Sequence, residues 1–246
     1  MTSADPVPGP SSGNDVREPI WARPETRRRS TLSRAAIVAA AVDLADREGL
    51  AAVSIRRVAA ELGARAMSLY TYLDSKDDLF DLMGDAAAGE TLLPEPLPGD
   101  WRAALTLVAE ATRDQIGRHP WVVPLMAEGR RYGGPSGLRH VEQSLRAVAG
   151  LGLPPSRQAQ ILMAVDDYVL GYLTRRSVGA AADVSGTLEH PYYRALLDAG
   201  EYPLLRDAMA TGGYAEDSFT EGLNWLLDGI EASLPDPART GSAAAE

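Results

Sequence analysis

Residues 54–73 constrain the fold of this chain more than any other stretch of its sequence. Ser54 is a good helix N-cap, and the apolar residues that follow it at helical spacing are Ile55, Val58, Ala59 and Leu62. Gly63 ends this helix, and a second short helix is expected at 66–73 after a turn of only three residues. Two short helices joined by a tight, glycine-containing turn form a helix-turn-helix, whose second helix enters the major groove of DNA.

The predicted second helix carries several hydroxyl groups side by side, which a core helix would not favour. Leu69 and Leu73 are expected to hold it to the domain. The side chains that then face outward or sideways are Met67, Ser68, Tyr70, Thr71 and Tyr72. Hydroxyl groups bond phosphate oxygens and base edges, and apolar groups pack on thymine methyls. Lys76 begins the next helix, whose N-terminus also favours an anion, so a phosphate contact is expected there.

Charge is unevenly distributed along the chain. The net charge is −10, yet residues 27–76 carry nine basic groups against five acidic ones. This asymmetry favours a basic contact face on an acidic body, with chance clustering as the alternative. Residues 1–30 are rich in Pro, Gly and Ser and are expected to be disordered. The three consecutive arginines at 27–29 fit either a solvated linker or an arm that touches phosphates.

Residues 33–80 resemble the DNA-binding domain of the tetracycline-repressor (TetR) family. The resemblance is carried by Gly49 at the end of the first helix, by Ser54, and by the segments "RRVAAELG", "SLYTYL" and "SKDDL". It implies a base-contacting role for Arg56 and phosphate contacts for Tyr70 and Lys76. The recognition-helix positions that it implies are Met67, Ser68, Thr71 and Tyr72. Ser54 also matches a phosphate contact, although helix capping alone would explain it.

The remainder of the chain is expected to be helical, which makes the whole protein all-α. The predicted organisation is a helix-turn-helix domain at 31–80, a helical domain at 81–234 and a disordered tail at 235–246. The helices expected after residue 75 lie at about 76–91, 101–118, 136–150, 155–178, 191–210 and 216–234. The segments "DWRAALTLVAEATRDQIGRHPWVVPLM" and "AVDDYVLGYL" resemble the C-terminal domain found in tetracycline-repressor-type members of the family.

The second resemblance implies a small-molecule pocket and a dimer. Candidate ligand-binding residues, for each of which plain core packing is the alternative, are Trp121, Met126, Met163, Asp167, Tyr168, Tyr172 and Trp225. Asp166 and Asp167 interrupt an apolar helix face, so an inward carboxylate would suggest a cationic or hydrogen-bonding ligand. The helices at about 155–178 and 216–234 are expected to pair with their two-fold mates in a homodimer, with packing inside one subunit as the alternative.

Several other kinds of protein are disfavoured. The chain has no cysteine, and its three histidines (His119, His140 and His190) lack metal-ligand spacing, so neither a metal nor a cofactor is expected. No nucleophile–base motif supports an enzyme. The magnesium-binding histidine of tetracycline-binding members has no match around 128–131, which disfavours tetracycline itself. Without an apolar run of about 18 residues or a signal sequence, the protein is expected to be cytoplasmic and not membrane-bound.

The favoured function is a ligand-responsive transcriptional regulator. We expect a homodimer on a palindromic double-stranded DNA operator, acting as a repressor that a small-molecule effector releases. A helical sensor or interaction protein without operator binding is the alternative. Activation instead of repression also stays open, because these residues predict binding and not its effect on transcription.

Overall fold

The computed structural model describes residues 18–23, 32–127, 133–179, 190–211 and 218–235, and all regular secondary structure within these ranges is helical. The α-helices in them are α1 (Arg34–Glu48), α2 (Ile55–Glu61), α3 (Ala66–Leu69), α4 (Lys76–Gly89), α5 (Trp101–Arg118), α6 (Val122–Ala127), α7 (Pro135–Ala149), α8 (Pro155–Gly179), α9 (Pro191–Asp198), α10 (Pro203–Ala210) and α11 (Phe219–Ala232). Two 3-10 helices accompany them at Ile20–Ala22 and Leu50–Ala52. The predicted all-α fold is confirmed.

Short polar side chains begin several helices, among them the predicted cap Ser54. The N-cap residues of α1, α2 and α4 are Ser33, Ser54 and Ser75. Each hydroxyl accepts the backbone N–H three residues further along, which satisfies a donor that the helix itself leaves unpaired. Gly49 follows α1 with φ +83° and Gly63 follows α2 with φ +61°, so both turns use backbone angles that glycine adopts at little cost.

Two predicted helices differ from the observed ones. α3 ends four residues earlier than expected. The chain after it forms a tight turn, in which the Tyr72 N–H donates to the Leu69 carbonyl at 2.8 Å. The single helix expected at 191–210 is instead the pair α9 and α10, because Gly200 adopts φ +82° between them. The other predicted boundaries after residue 75 lie within three residues of those observed.

Two hydrophobic cores fill the protein. The N-terminal core is formed by α1 to α4 and is closed by Trp121, Val122 and Leu125 from the α6 region. The C-terminal core joins α5, α7, α8 and α11. Because α4 fills the N-terminal core and also packs against α7 and α6, it connects the helix-turn-helix to the rest of the molecule.

Residues 18–23 form an ordered segment that we call the N-terminal strap, so the prediction of disorder over 1–30 is wrong for this part. Ile20 is 1% exposed. The Trp21 ring lies against Gly133 and Gly134, next to the start of α7. Burial of this apolar pair against other elements overrides the polar, Pro-rich composition around it. The arginines at 27–29 and the tail from 236 onward lie outside the described residues.

Arg23 ties the strap to the helix-turn-helix. Its guanidinium pairs with Asp74 and with the buried Asp78 at the start of α4. Arg34 of α1 donates from Nη1 to the Arg23 carbonyl at 3.0 Å and from Nε to the Tyr72 carbonyl at 3.2 Å. The strap therefore contacts the beginning of α7 at one end and the end of the recognition turn at the other.

Candidate nucleic-acid interface and effector cavity

The short helix α3 presents an exposed polar face above a buried anchor. Leu69 is fully buried and fixes α3 to the N-terminal core. The predicted contact residues that lie exposed on and just after α3 are Met67, Ser68, Tyr70 and Thr71. Met67 is 75% exposed and Tyr70 is 46% exposed. This surface is available to base edges and phosphates.

Only part of the predicted basic face is available for an external partner. Arg57 forms a two-bond ion pair with Glu48 at 2.7 Å, and this pairing raises the pKa of Arg57 and lowers that of Glu48. Arg47 and Arg34 also bond neighbouring groups of the same domain. Within the described part of the helix-turn-helix, the exposed basic side chains without an ion pair are Arg56, Arg65 and Lys76. Arg65, the residue before α3, was not among the predicted contacts. It is exposed and adds a positive charge to the same surface.

Tyr72 does not face outward as predicted. Its side chain is 7% exposed and belongs to the N-terminal core. Tyr72 follows the buried Leu69 by three residues, a spacing that places two side chains on the same helix face, and its burial agrees with that spacing. Ser54 is committed to capping α2, where its hydroxyl accepts from Arg57 N–H at 3.3 Å. A DNA contact by Tyr72 as a recognition-helix residue and a phosphate contact by Ser54 stay predictions.

Lys76, the only lysine of the chain, stands at the first position of α4. Its Nζ lies 4.6 Å from the centre of the Phe80 ring, a cation–π distance that holds the ammonium group near the helix N-terminus. The side chain is exposed. A phosphate at this place would meet both the lysine charge and the positive end of the helix dipole.

The other end of α4 lines a cavity of about 40 Å³, which we call the effector cavity. Four helices and Thr91, two residues after the end of α4, supply its walls, whose residues are Gly84, Ala88, Thr91, Thr112, Gln115, Ile116, Val122, Leu125, Met126 and His140. A second cavity of about 270 Å³ lies between α5, α7 and α8. His140 belongs to the lining of both cavities. Of the two, only the second approaches the usual size of small-molecule sites, so a ligand would reach the effector cavity by extending past His140.

His140 is a buried, hydrogen-bonded histidine. Its Nδ1 lies 2.7 Å from Thr91 Oγ1, and that hydroxyl donates to the Ala88 carbonyl at 2.8 Å. Since the single hydroxyl proton is used in this way, Nδ1 of His140 carries the proton and donates to Thr91. Burial lowers the pKa of His140 to about 4, so the ring is neutral at pH 7. The chain Ala88–Thr91–His140 links α4 to α7 across the cavity.

Of the predicted pocket residues, Met126 lines the effector cavity and Met163 lines the second cavity. Trp121 is a core residue of the N-terminal core instead. Tyr168 and Tyr172 pack with Phe219 in the C-terminal core, where Tyr168 Oη also donates to the Phe219 carbonyl at 2.7 Å. For these three aromatic residues the structure matches the core-packing alternative.

Asp167 and Trp225 lie at the surface and line neither cavity, so the structure does not support placing them in a pocket. Trp225 is 66% exposed on α11, and Met163 is 63% exposed on α8 although it borders the second cavity. Asp166, the neighbour of Asp167, lines the second cavity. The sequence analysis did not single out Gln115 and His140 as cavity residues. Each is a polar residue on the buried face of a helix, and that position could have identified it.

Two sets of polar contacts fix the orientation of α4 and α1 relative to the C-terminal helices. Asp85 of α4 accepts the backbone N–H groups of Ser136 and Gly137 at 2.8 and 3.0 Å, which caps the start of α7. Asp46 of α1 contacts both His119 and Trp121, which lie between α5 and α6. α4 and α1 are therefore hydrogen-bonded to the start of α7 and to the segment between α5 and α6.

No three histidine, aspartate or glutamate side chains in the described ranges come together as metal ligands. None of the helices that the structure describes combines the length and apolarity needed to cross a membrane.

An exposed recognition helix joined through α4 to a buried small-molecule cavity defines a one-component, DNA-binding regulator. Comparisons with known proteins agree. Residues 37–83 match the family model of bacterial regulatory proteins of the tetR family, and residues 93–234 match the tetracyclin-repressor-like C-terminal domain. The chain therefore belongs to the TetR family of transcriptional regulators.

Similar proteins support this assignment over most of the chain. The HTH-type transcriptional repressor DrrR1 of Streptomyces coeruleorubidus is 35% identical, over 89% of this chain and 87% of that protein. An HTH-type transcriptional regulator of Saccharopolyspora erythraea is 33% identical, over 87% of this chain and 92% of its own length. The crystal structure of Streptomyces coelicolor ActR in complex with actinorhodin superposes with a TM-score of 0.69 at 28% identity, covering 84% of this chain and all of that one.

Proposed function

We propose that this protein is a homodimeric transcriptional repressor that binds a palindromic operator and leaves it when a small molecule fills the effector cavity. The observation that carries the proposal is the position of α4. Its first residue, Lys76, is exposed beside the recognition surface, and Gly84 and Ala88 near its other end line the effector cavity. A ligand in the cavity thus touches the same rigid helix that faces DNA.

In the DNA-bound state, α3 lies in the major groove. Arg56 and Thr71 contact base edges, while Tyr70 and Lys76 contact phosphates on either side. In the dimer, the two copies of this surface are separated by about 34–36 Å or a multiple of that distance, the spacing of successive major grooves. Arg65 adds a further positive charge at the beginning of α3.

The dimer is formed by α8 and α11. These helices pack against each other within the subunit, yet Met163 and Trp225 leave large apolar side chains exposed on their outer faces. A contact between two subunits would remove these side chains from water, which favours association. A two-fold arrangement of the two helices forms a four-helix bundle that buries both side chains.

Release follows from a difference in affinity between two states. In one state the two recognition helices of the dimer are spaced for the operator, and in the other they are not. A ligand that binds the second state more tightly increases its population and so weakens operator binding. Operator DNA weakens ligand binding by the same factor as the ligand weakens operator binding. DrrR1 is named a repressor, and ActR binds actinorhodin in its crystal structure. Both observations favour repression with release by a ligand in the present chain.

The proposal is tested by selecting bound DNA from a random pool and then titrating the enriched sequence at two salt concentrations. We expect a palindrome and a steep loss of affinity with salt, since phosphate contacts release counterions. Size-exclusion chromatography of the Trp225→Glu variant is expected to show a monomer, whereas Leu138→Glu, which changes an equally exposed apolar residue on α7, leaves the dimer intact. Lack of any enriched sequence with folded, dimeric protein would exclude the regulator function.

A further inference from the structure

The N-terminal strap is buried at a junction between elements and not inside one of the two cores. Ile20 is 1% exposed, yet among the described residues it belongs to neither hydrophobic core. The 3-10 helix Ile20–Ala22 packs against α4, which in turn packs against α7. The strap therefore lies where the DNA-binding domain meets the C-terminal helices.

One end of the strap is held tightly at the start of α7. Gly134 is the N-cap of α7, and a Cβ atom on it would lie 2.6 Å from Cζ2 of Trp21 and 2.3 Å from Oδ1 of Asp85. No side chain larger than hydrogen fits between the tryptophan ring and α4 without a shift of these groups. Because α7 also carries His140 and Ser144 into the wall of the second cavity, the Trp21 ring lies against the start of a helix that lines this cavity.

The other end of the strap holds the turn that follows the recognition helix. The Arg34 guanidinium donates to the Arg23 carbonyl at 3.0 Å and to the Tyr72 carbonyl at 3.2 Å, so it joins the strap backbone to the end of this turn. The Arg23 side chain pairs with Asp74, just after the turn, and with the buried Asp78 at the start of α4. The strap is thus a continuous connection from α7 to the recognition turn.

We propose that Trp21 and Arg23 are positioning residues for operator binding, because they tie the recognition turn to α7 and so fix the distance between the two recognition helices of the dimer. This inference rests on the proposed function as a dimeric operator-binding protein and adds a second connection beside α4. Operator binding needs one spacing, and a dimer whose spacing varies has only a fraction of its population ready for DNA. Since the connection starts at α7, a ligand in the second cavity that shifts this helix also shifts the recognition turn.

The test measures the distance between the two recognition helices in the full-length dimer without DNA. The chain has no cysteine, so Met67→Cys on the exposed face of α3 places a single spin label on each subunit. Double electron–electron resonance is expected to give one narrow distance distribution when the strap is intact. Trp21→Ala releases the α7 end of the strap and is expected to broaden this distribution. Trp21→Phe keeps a ring at this place, and Tyr192→Ala removes an exposed ring from α9, so both should keep the narrow distribution.

Operator affinity of the unlabelled protein supplies the second readout. Trp21→Ala is expected to weaken binding about tenfold in fluorescence anisotropy, the loss expected when about one dimer in ten has the required spacing. Arg34→Met breaks the other end of the connection and should weaken binding similarly, while the double variant should weaken it no further, because both changes interrupt one connection.

A strap that only stabilises the fold would leave both readouts of Trp21→Ala unchanged at temperatures well below its unfolding transition, and that result would overturn the inference. The distance is measured without DNA. A failure of operator binding would therefore count against the regulator function and not against the role of the strap.

Discussion

His119 Nδ1 lies 2.7 Å from Asp46 Oδ1, and this contact joins the first helix of the DNA-binding domain to the end of α5. The Trp121 indole donates to the same carboxylate oxygen at 2.6 Å. On its other side, His119 Nε2 lies 3.2 Å from both carboxylate oxygens of Glu90, just after α4. One histidine therefore connects α1 to the cavity end of α4.

Replacement of Asp46 should reveal the strength of this connection. Asp46→Ala leaves the Trp121 and His119 donors without their acceptor, so we expect the free energy of unfolding to fall by about 2 kcal/mol. Asp43→Ala is the control on the same helix, because Asp43 makes only a surface pair with Arg47, and a loss of about 0.5 kcal/mol or less is expected. Urea unfolding measures both. Equal losses for the two variants would contradict the connecting role of Asp46.

The N-terminal strap is expected to stabilise the DNA-binding domain through Arg23. Its partner Asp78 is 1% exposed, so Arg23→Ala removes the guanidinium that neutralises a buried carboxylate, at a cost of about 3 kcal/mol. Arg47→Ala removes a guanidinium whose carboxylate partners are exposed, and its cost should stay below about 1 kcal/mol. Differential scanning calorimetry separates the two cases. A strap without a structural role would give the same small change for both variants.

Substitution of Tyr70 is expected to weaken DNA binding without affecting folding, and substitution of Tyr72 is expected to destabilise the fold. Tyr72→Ala opens a cavity in the N-terminal core and should cost about 3–5 kcal/mol of stability. Tyr70→Ala removes an exposed side chain, so it should leave the melting temperature within about 2 °C while weakening the operator complex. Fluorescence anisotropy with the selected operator and thermal unfolding together measure both effects. Normal operator affinity of the Tyr70 variant would remove this residue from the interface.

Substitution of Arg56 is expected to change the DNA sequence that the protein selects, whereas substitution of its neighbour Arg57 is not. Arg56 is exposed without an ion pair among the described residues, so Arg56→Ala together with Thr71→Ala should change the base preference in a repeated selection. Arg57 is held by Glu48, and Arg57→Ala should leave the selected sequence unchanged. An identical selected palindrome for the Arg56 and Thr71 double variant would refute the assigned base contacts.

Burial of His140 predicts a specific dependence of stability on pH. Its folded-state pKa of about 4 lies below the ordinary value of 6.5, so the unfolded chain binds the extra proton first as pH falls. Stability from this group is therefore complete above pH 6.5 and decreases toward pH 4, by about 2 kcal/mol at pH 5. Urea unfolding at pH 7 and pH 5 should show a smaller decrease for His140→Gln than for the wild type. The exposed His190, replaced by Gln, is the control that keeps the full decrease.

Local patterns in the sequence predicted most of the fold. Serine caps and apolar spacing depend on neighbours within one helix, and Ser54 begins its helix as expected. The strap escaped prediction because burial of Ile20 depends on distant partners that composition does not encode. Tyr72 was misplaced although it follows the anchor Leu69 by three residues, a spacing that puts both side chains on one helix face.

The effector site was only partly predictable. Methionine and aromatic residues fill cores and pockets alike, so sequence could not tell Met126, which lines the effector cavity, from Trp121, which fills the N-terminal core. A better signal was present in α5, where Gln115 occupies the buried face otherwise formed by apolar residues such as Ile116. That glutamine could have been singled out, but its place on the wall of a cavity depends on tertiary packing.

The N-terminal core has a consequence for the modularity of this protein. Trp121, Val122 and Leu125 come from the helices that follow the helix-turn-helix domain, yet they complete the core beneath α3. A fragment cut after residue 80 would lose these side chains together with Met83 and Ala87 of α4. The DNA-binding domain therefore cannot complete its core when it is fused alone to another ligand-binding domain. A fusion protein must also include the α6 region.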